Sequence, residues 1–272
     1  MNSRTGQVVL VTGATDGLGR YLTGELTAGG ASVVAHGRNP SKLGRLRDDL
    51  GVETVRADLA RLRDVDAMAD ELLERVPRLD VLVNNAGVGF GPPGGERELS
   101  GDGIELRLAV NYLAGYRLTR RLLPLLVESA PARIVNVSSI GQQPLDFDDP
   151  MLEASYDGIT AYRRSKLAQV MFTLDLAHEL RDRGVTVNAL HPATFMNTSM
   201  VFEHGAAPMS TVEEGGAATL RLVTDEALAA VTGRFFDGRR EARPDRTAYD
   251  EQARARLRRL SDELVTSTLR SA

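Results

Sequence analysis

The sequence predicts an α/β fold built on a parallel, doubly wound sheet with helices on both faces. Three observations carry that prediction. Short β-branched strands alternate with helical stretches at βαβ spacing. The first strand runs directly into the glycine-rich turn Gly13-Ala14-Thr15-Asp16-Gly17-Leu18-Gly19. Later strands end in polar residues, where open parallel sheets bind their ligands; these are Asp58, Asn84-Asn85, Ser138-Ser139 and His191.

Residues 7–12 (QVVLVT) form a buried strand, followed by the turn and a helix to about residue 28. Strand, glycine turn and helix N-terminus together aim backbone N–H groups at a phosphate, and glycine lets a pyrophosphate approach closely. A second strand over 31–36 ends in Gly37-Arg38-Asn39-Pro40. Gly37 stands where a dinucleotide fold carries an acid for the ribose hydroxyl. Arg38, which follows, pairs with a 2′-phosphate or is an exposed loop charge. A helix over 41–50 and a strand over 53–56 lead to Ala57-Asp58-Leu59. Asp58 lies at the ligand end of its strand, and it also suits the cap of a helix beginning near residue 60. The strand over 79–83 ends in Asn84-Asn85-Ala86-Gly87.

Residues 89–101 are rich in glycine and proline and predict a loop, and a long helix from about 104 to 128 carries Asn111 in its middle. After the strand over 132–137, an excursion over 142–157 contains Pro144 and Pro150. The next helix, to about 183, holds Tyr162-Arg163-Arg164-Ser165-Lys166 and leads to a strand over 185–190. Residues 194–216 gather Phe195, Met196, Met200, Val201, Phe202 and Met209, interrupted by Glu203 and His204. Between a strand end and a helix, such a cluster is fixed core or a lid over an apolar pocket. A helix over 212–224, a strand over 233–236 and a helix over 246–266 complete the chain. The last helix stripes Tyr249, Ala253, Leu257, Leu260 and Leu264 along one face.

Tyr162 and Lys166 are four apart and share a helix face. A phenol titrates near ~10, and a fixed cation beside it draws that value towards neutrality, where it can exchange protons. Of 33 basic residues, only Lys42 and Lys166 are lysine, so a compact point charge is a deliberate choice here.

Composition excludes several classes. A net charge of −4 leaves no basic footprint for nucleic acid. There is no cysteine, and the four histidines do not pair at ligand spacing, so no metal is expected. The start runs into a strand without an apolar signal segment, and no window is long enough to span a membrane, so a soluble, cytoplasmic protein is expected.

In order along the chain, Thr12-Gly13-x-x-x-Gly17-x-Gly19, Asp58, Asn84-Asn85-Ala86-Gly87, Asn111, Ser139, Tyr162-x-x-x-Lys166 and His191-Pro192 resemble the short-chain dehydrogenase/reductase family over nearly the whole length. The ending Gly233-Arg234-Phe235-Phe236-Asp237 with its following helix is similar to the branch of retinol dehydrogenases and protochlorophyllide reductase.

The resemblance implies one Rossmann-type domain over 1–272, of about seven strands, with a lid near 194–216. It implies an NADP(H)-dependent oxidoreductase that interconverts a carbonyl and an alcohol on a bulky, mostly apolar small molecule. Tyr162 would be the general acid/base, Ser139 would hold the substrate oxygen, and Lys166 would lower the Tyr162 pKa and bind the nicotinamide ribose. Asn111 would hold a relay water. The cofactor would lie on Gly13, Thr15, Asp16, Gly17, Leu18, Gly19, Arg38, Asp58, Leu59, Asn85, Ala86, Gly87, Pro192 and Phe195 besides Tyr162 and Lys166. Its amide would meet Thr198, one residue late for the family, or Thr194.

Pairing of the helices 104–128 and 161–183 in a homodimer or homotetramer is also implied, through Leu118, Leu122, Leu125, Leu126, Val170, Leu174 and Ala177. The alternative is a catalytically silent NADP(H) sensor or scaffold; such proteins lose the tyrosine, lysine or serine, and this chain keeps all three.

Overall fold

A computed structural model describes residues 5–203 and 205–271. Eight strands form one sheet in the order β3-β2-β1-β4-β5-β6-β7-β8. The first seven are β1 (Val8–Val11), β2 (Ser32–Gly37), β3 (Glu53–Arg56), β4 (Val81–Asn84), β5 (Ala132–Val137), β6 (Val185–His191) and β7 (Arg234–Asp237). All seven run parallel. The sequence order reverses between β1 and β4, which opens a crevice at the carboxyl ends of these strands.

Helices α1 (Gly17–Ala28), α2 (Pro40–Leu50) and α7 (Val212–Thr224) pack on one face through Leu18, Leu22, Leu46 and Leu222. On the other face lie α3 (Leu62–Arg75), α4 (Ala114–Glu128), α5 (Gly158–Glu179) and α8 (Glu251–Ser271). A short α6 (Ser199–Glu203) sits between β6 and α7. Strand side chains alternate between the two cores: Val9 and Val11 join one and Leu10 the other. Local chemistry sets the helix ends. Asn39 caps α2 with Pro40 in its first turn, and Thr211 and Glu214 form a reciprocal capping box on α7.

The structure departs from the sequence expectation in several places. An eighth strand, β8 (Arg240–Ala242), pairs antiparallel with β7; three residues with two charges carry no strand signal. The long helix through Asn111 is interrupted by a π-helical turn, Leu108–Leu113, before α4. Helix α5 ends at Glu179 rather than near 183, and the chain turns through Asp182 at φ 64°.

Asp58 does not cap α3. Its Oδ1 accepts from Ala60 N at 3.0 Å, while Leu62 N donates to Asp102 at 2.7 Å from 40 residues away. Tyr249 lies off the apolar stripe, 53% exposed, because a 3-10 turn precedes α8.

Leu118, Leu122, Leu125, Leu126, Val170 and Ala177 are all buried within the single chain. They build its own core rather than an open face. Helix α8 adds to that cover: the Tyr112 hydroxyl meets Ser261 Oγ at 2.7 Å, Tyr116 donates to Asp262 at 2.6 Å, and Arg258 reaches Asp175 at 2.7 Å.

Candidate active site

The glycine turn is positioned by close approach. Gly13 has φ +66°, and a Cβ there would lie 2.8 Å from Ala86 Cα; at Gly19 it would lie 2.1 Å from Gly13 O. The neighbouring strand end locks the turn. Asn85 N and Ala86 N donate to Thr12 Oγ1 at 2.9 and 3.0 Å, and Asn85 Nδ2 donates to Thr12 O at 2.8 Å.

From β2, His36 Nδ1 accepts from Gly13 N at 3.2 Å, and Nε2 faces Ala57 O at 3.2 Å. That pairing needs a neutral imidazole with its proton on Nε2. Burial holds the His36 pKa down at about 4, against a weaker upward pull from the Ala57 carbonyl. Sequence reasoning did not assign Thr12 or His36 a role. Both act through several long-range bonds, Thr12 with Asn85 and Ala86 and His36 with Gly13 and Ala57, that spacing does not encode.

Of the residues expected on the cofactor, Asp58, Asn85, Ala86 and Gly87 line the same strand ends as the turn. Leu18 and Leu59 turn their side chains into the two cores. The Thr15 methyl fills the space beside Gly37, where a Cβ would come within 2.6 Å, so an acid there would have to push that methyl aside. Arg38 is exposed, and its carbonyl accepts from the Arg56 guanidinium at 3.3 Å.

Asp16 has a different task from a simple cofactor contact. It caps α1 through Gly17 N at 2.7 Å, accepts from Ser199 Oγ at 2.7 Å and pairs with Lys42 at 3.3 Å. The Ser199 hydrogen bond, first among several, lowers the Asp16 pKa.

The catalytic candidates converge from β5 and α5. Ser138 Oγ is turned inward onto Lys166 O at 2.8 Å, which leaves Ser139 to hydrogen-bond the Tyr162 phenol. Lys166 is 5% exposed, and its Nζ lies 5.5 Å from the Tyr162 ring centroid. That Nζ donates to Val137 O at 2.9 Å and to Gln169 Oε1 at 3.0 Å. Burial brings the Lys166 pKa down to about 7.

The expected depression of the Tyr162 pKa is not found. Burial pushes the phenol up, and only the Ser139 hydrogen bond opposes it. The physical reason is that taking the phenolate out of water costs more than the Ser139 hydrogen bond returns, while Lys166 donates to Val137 and Gln169 and not to the phenol.

Asn111 is buried beside this pair, yet its side chain clips backbone. Oδ1 accepts from Val88 N at 2.7 Å, and Nδ2 donates to Val88 O and Ser165 Oγ, each at 3.1 Å. Single π-helical turns of this kind often sit at functional positions. Gln169, missed in the sequence, is readable in principle as the residue three beyond Lys166 on one face.

Residues 195–203 fold across both parts of the crevice. Thr198 lies against Gly17, where its Cγ2 would be 2.9 Å from a Cβ, and Met200 lies 2.8 Å from the corresponding point at Gly89. Thr194 Oγ1 is instead held by His191 Nε2 at 3.0 Å. Pro192 is buried and Phe195 has φ 45°, its carbonyl accepting from Met209 N at 2.8 Å. Val201 packs inward, whereas Phe202 and Met209 are exposed; His204 lies outside the described residues.

The glycine turn that side chains cannot enter and the buried Lys166 beside Gly87 suit a nicotinamide dinucleotide cofactor. Among the described residues, no cluster suits a metal, and no helix is long and apolar enough to cross a membrane.

The short chain dehydrogenase family profile matches residues 7–207. Retinol dehydrogenase 13 of Mus musculus is 36% identical, with 96% of this chain and 84% of that protein covered. Retinol dehydrogenase 14 of Homo sapiens is also 36% identical, covering 96% and 86%. Among solved structures, the Pseudomonas aeruginosa RhlG/NADP active-site complex superposes with a TM-score of 0.70 at 28% identity, over 86% of this chain and 95% of that one.

Proposed function

Since this chain belongs to the short-chain dehydrogenase family, in its retinol dehydrogenase branch, we propose an NADP(H)-dependent oxidoreductase of bulky, mostly apolar carbonyls and alcohols, with Tyr162 as general acid/base. Membership itself makes the chain an oxidoreductase acting between CH–OH and C=O on a small molecule with a nicotinamide cofactor. The observation that carries the finer reading is the convergence of Tyr162, Ser139 and Lys166 at the edge of the glycine crevice.

A nicotinamide held on the glycine turn would supply hydride to the carbonyl carbon, or take it from the alcohol carbon in reverse. Ser139 holds the carbonyl oxygen, and Tyr162 gives it a proton. A phenol held protonated by burial is in the acid form that carbonyl reduction needs. Lys166, with a pKa near 7, is poised to pass protons towards Tyr162. Behind it lies a cavity of about 10 Å3, bordered by Thr12, Asn84, Asn111 and Gln169. Buried Asn84 Oδ1 has no hydrogen-bond partner among the described residues. Leu59, Ala86, Val110 and Leu118 also line it, so the space is water-sized with polar groups on one part of its wall, and that part suits a relay from Lys166 through Gln169.

Arg38 supports the preference for the 2′-phosphate, and the crowded Gly37 supports it from the other side. The apolar segment 194–216 supports a lid over an apolar substrate, within one domain that works in the cytoplasm. A homodimer or homotetramer remains part of the reading, through faces other than the leucines buried in the chain; light scattering at the 29.4 kDa monomer mass would remove it. The decisive experiment follows NADPH absorbance over a panel of carbonyls and alcohols. Turnover of none of them, by a protein that binds NADPH, would favour the sensor alternative.

A further inference from the structure

Against the loop after β4 lies a buried charge cluster that no motif marks. Arg107 is 3% exposed and Glu105 1%. The Arg107 guanidinium donates through Nε to Gly89 O at 3.0 Å and through Nη1 to the Tyr156 hydroxyl at 2.9 Å. Its Nη2 pairs with Glu98 at 2.7 Å. Glu105 lies 3.6 Å from the same guanidinium, and its other oxygen accepts from Leu108 N at 2.7 Å.

One planar fork therefore ties together the loop after β4, the π-helical turn and the excursion before α5. Deep ion pairs recover little net stability after desolvation, and burial holds Glu105 above the usual carboxylate range. Stability is a poor reason to place a guanidinium here. Its rigid, five-donor geometry is a better one.

What the fork grips is the carbonyl just before Phe90. The Phe90 ring meets the Tyr162 ring edge-on, with centroids 4.4 Å apart and planes at 62°. The Phe90 carbonyl presses towards Gly158, where a Cβ would come within 2.0 Å. Its backbone is thus held from two sides, and its ring stands against the proton donor.

We propose that Phe90 is the specificity-determining wall beside Tyr162, favouring carbonyls that carry a flat, unsaturated group, and that Arg107 is the positioning residue that holds this wall in place. The proposal rests on Tyr162 acting as the acid. Aromatic faces and edges pair with one another more favourably than with a saturated group of equal bulk.

The test compares NADPH-dependent reduction of benzaldehyde with that of cyclohexanecarbaldehyde, which have similar size and different flatness. The wild type favours benzaldehyde in kcat/KM. Phe90→Leu and Arg107→Gln each lower that preference roughly two- to tenfold, the size of one aromatic pair. NADPH affinity, read by fluorescence titration, stays unchanged in both.

Tyr156→Phe removes one contact of the fork without stranding a buried charge, so it gives the same shift in smaller measure should Arg107→Gln fold poorly. Fluorine NMR on para-fluorophenylalanine protein supplies a readout free of turnover. The resonance lost in Phe90→Leu moves in Arg107→Gln and in Tyr156→Phe as the ring leaves Tyr162. An active wild type whose preference and resonance are untouched by both fork variants overturns the proposal. A wild type inert towards both aldehydes and their alcohols overturns the reaction assigned above, while the resonance still decides the role of Arg107.

Discussion

Between β1 and Gly87 it is the backbone that is pinned: Gly13 N donates to the His36 ring, Ala14 N to His36 O, and Asn85 N and Ala86 N to the buried Thr12 hydroxyl. The loop from Gly89 to Gly91 is held instead by the side chain of Arg107, reaching in from the start of the π-helical turn. The difference concerns how much tolerance each side has. A backbone-locked turn fits any nicotinamide dinucleotide, since its shape depends on sterics that few substitutions survive. A side-chain-locked wall can be reshaped residue by residue, which suits the side that selects substrates. Tyr162 and Lys166 stand where the two meet.

The largest expected effect separates the two sides outright. Tyr162→Phe removes the proton donor and touches no part of the backbone-locked turn, so turnover falls about 10²–10⁴-fold while NADPH binding persists. Lys166→Ala harms both, because its Nζ serves the proton path and borders Gly87, whose Cβ would lie 3.8 Å away. Steady-state kinetics with fluorescence titration checks this, and a Tyr162→Phe enzyme retaining most of its kcat would refute the assignment.

These constructions also explain what was legible in the sequence. The glycine turn, the strand ends and the Tyr162–Lys166 pair were readable because sterics and helix periodicity demand fixed residues at fixed spacing. The reading of Ser139 as the active serine rested on the family resemblance; that Ser138 is turned inward onto Lys166 O comes only from the packed structure. The Arg107 fork and the His36 prop were not readable as function. Each depends on which side chains the fold brings together, and a buried arginine looks like a surface one in sequence. The upward push on Tyr162 was missed for the same reason, because desolvation is a property of the packed state.

Next in size is a pH effect on the backbone-locked side. His36 is neutral in the fold, with a pKa near 4 against 6.5 for a free imidazole. Its contribution to stability is therefore complete above about pH 6.5, where folded and unfolded chains both hold it neutral. It declines as pH falls, because the unfolded chain gains the proton first, and is gone by about pH 4. The full loss is on the order of 3 kcal/mol. Urea unfolding between pH 7 and 4.5 measures it, and His36→Asn should flatten the slope. An unchanged slope would show that the turn does not depend on this prop.

A smaller effect concerns the rim of the cofactor side, where an exposed side chain meets the ligand. Arg38 should favour NADPH over NADH at least tenfold, since one charge-assisted contact contributes about 1.5–3 kcal/mol. Arg38→Asp should erase or invert that ratio. Equal binding of the two reduced cofactors by the wild type would place phosphate selection elsewhere.

The smallest effect tests the one link that joins the two sides. Ser199 Oγ donates to Asp16 at 2.7 Å, so the flap that lies over Gly89 is fastened to the glycine turn. The bond is exposed, which puts it near the low end of its class at about 0.5 kcal/mol, or roughly twofold in an opening equilibrium. Ser199→Ala should therefore speed NADPH release about twofold and raise protease cleavage within 195–210 in the cofactor-free enzyme. Asp16→Asn should do the same with less certainty of cause, because it also disturbs the cap of α1 and the pairing with Lys42. Stopped-flow release of NADPH reads the first effect and limited proteolysis the second. If Ser199→Ala changes neither, the flap is held by Met200 and Val201 packing alone, and the two sides of the crevice are coupled through apolar contact instead of through Asp16.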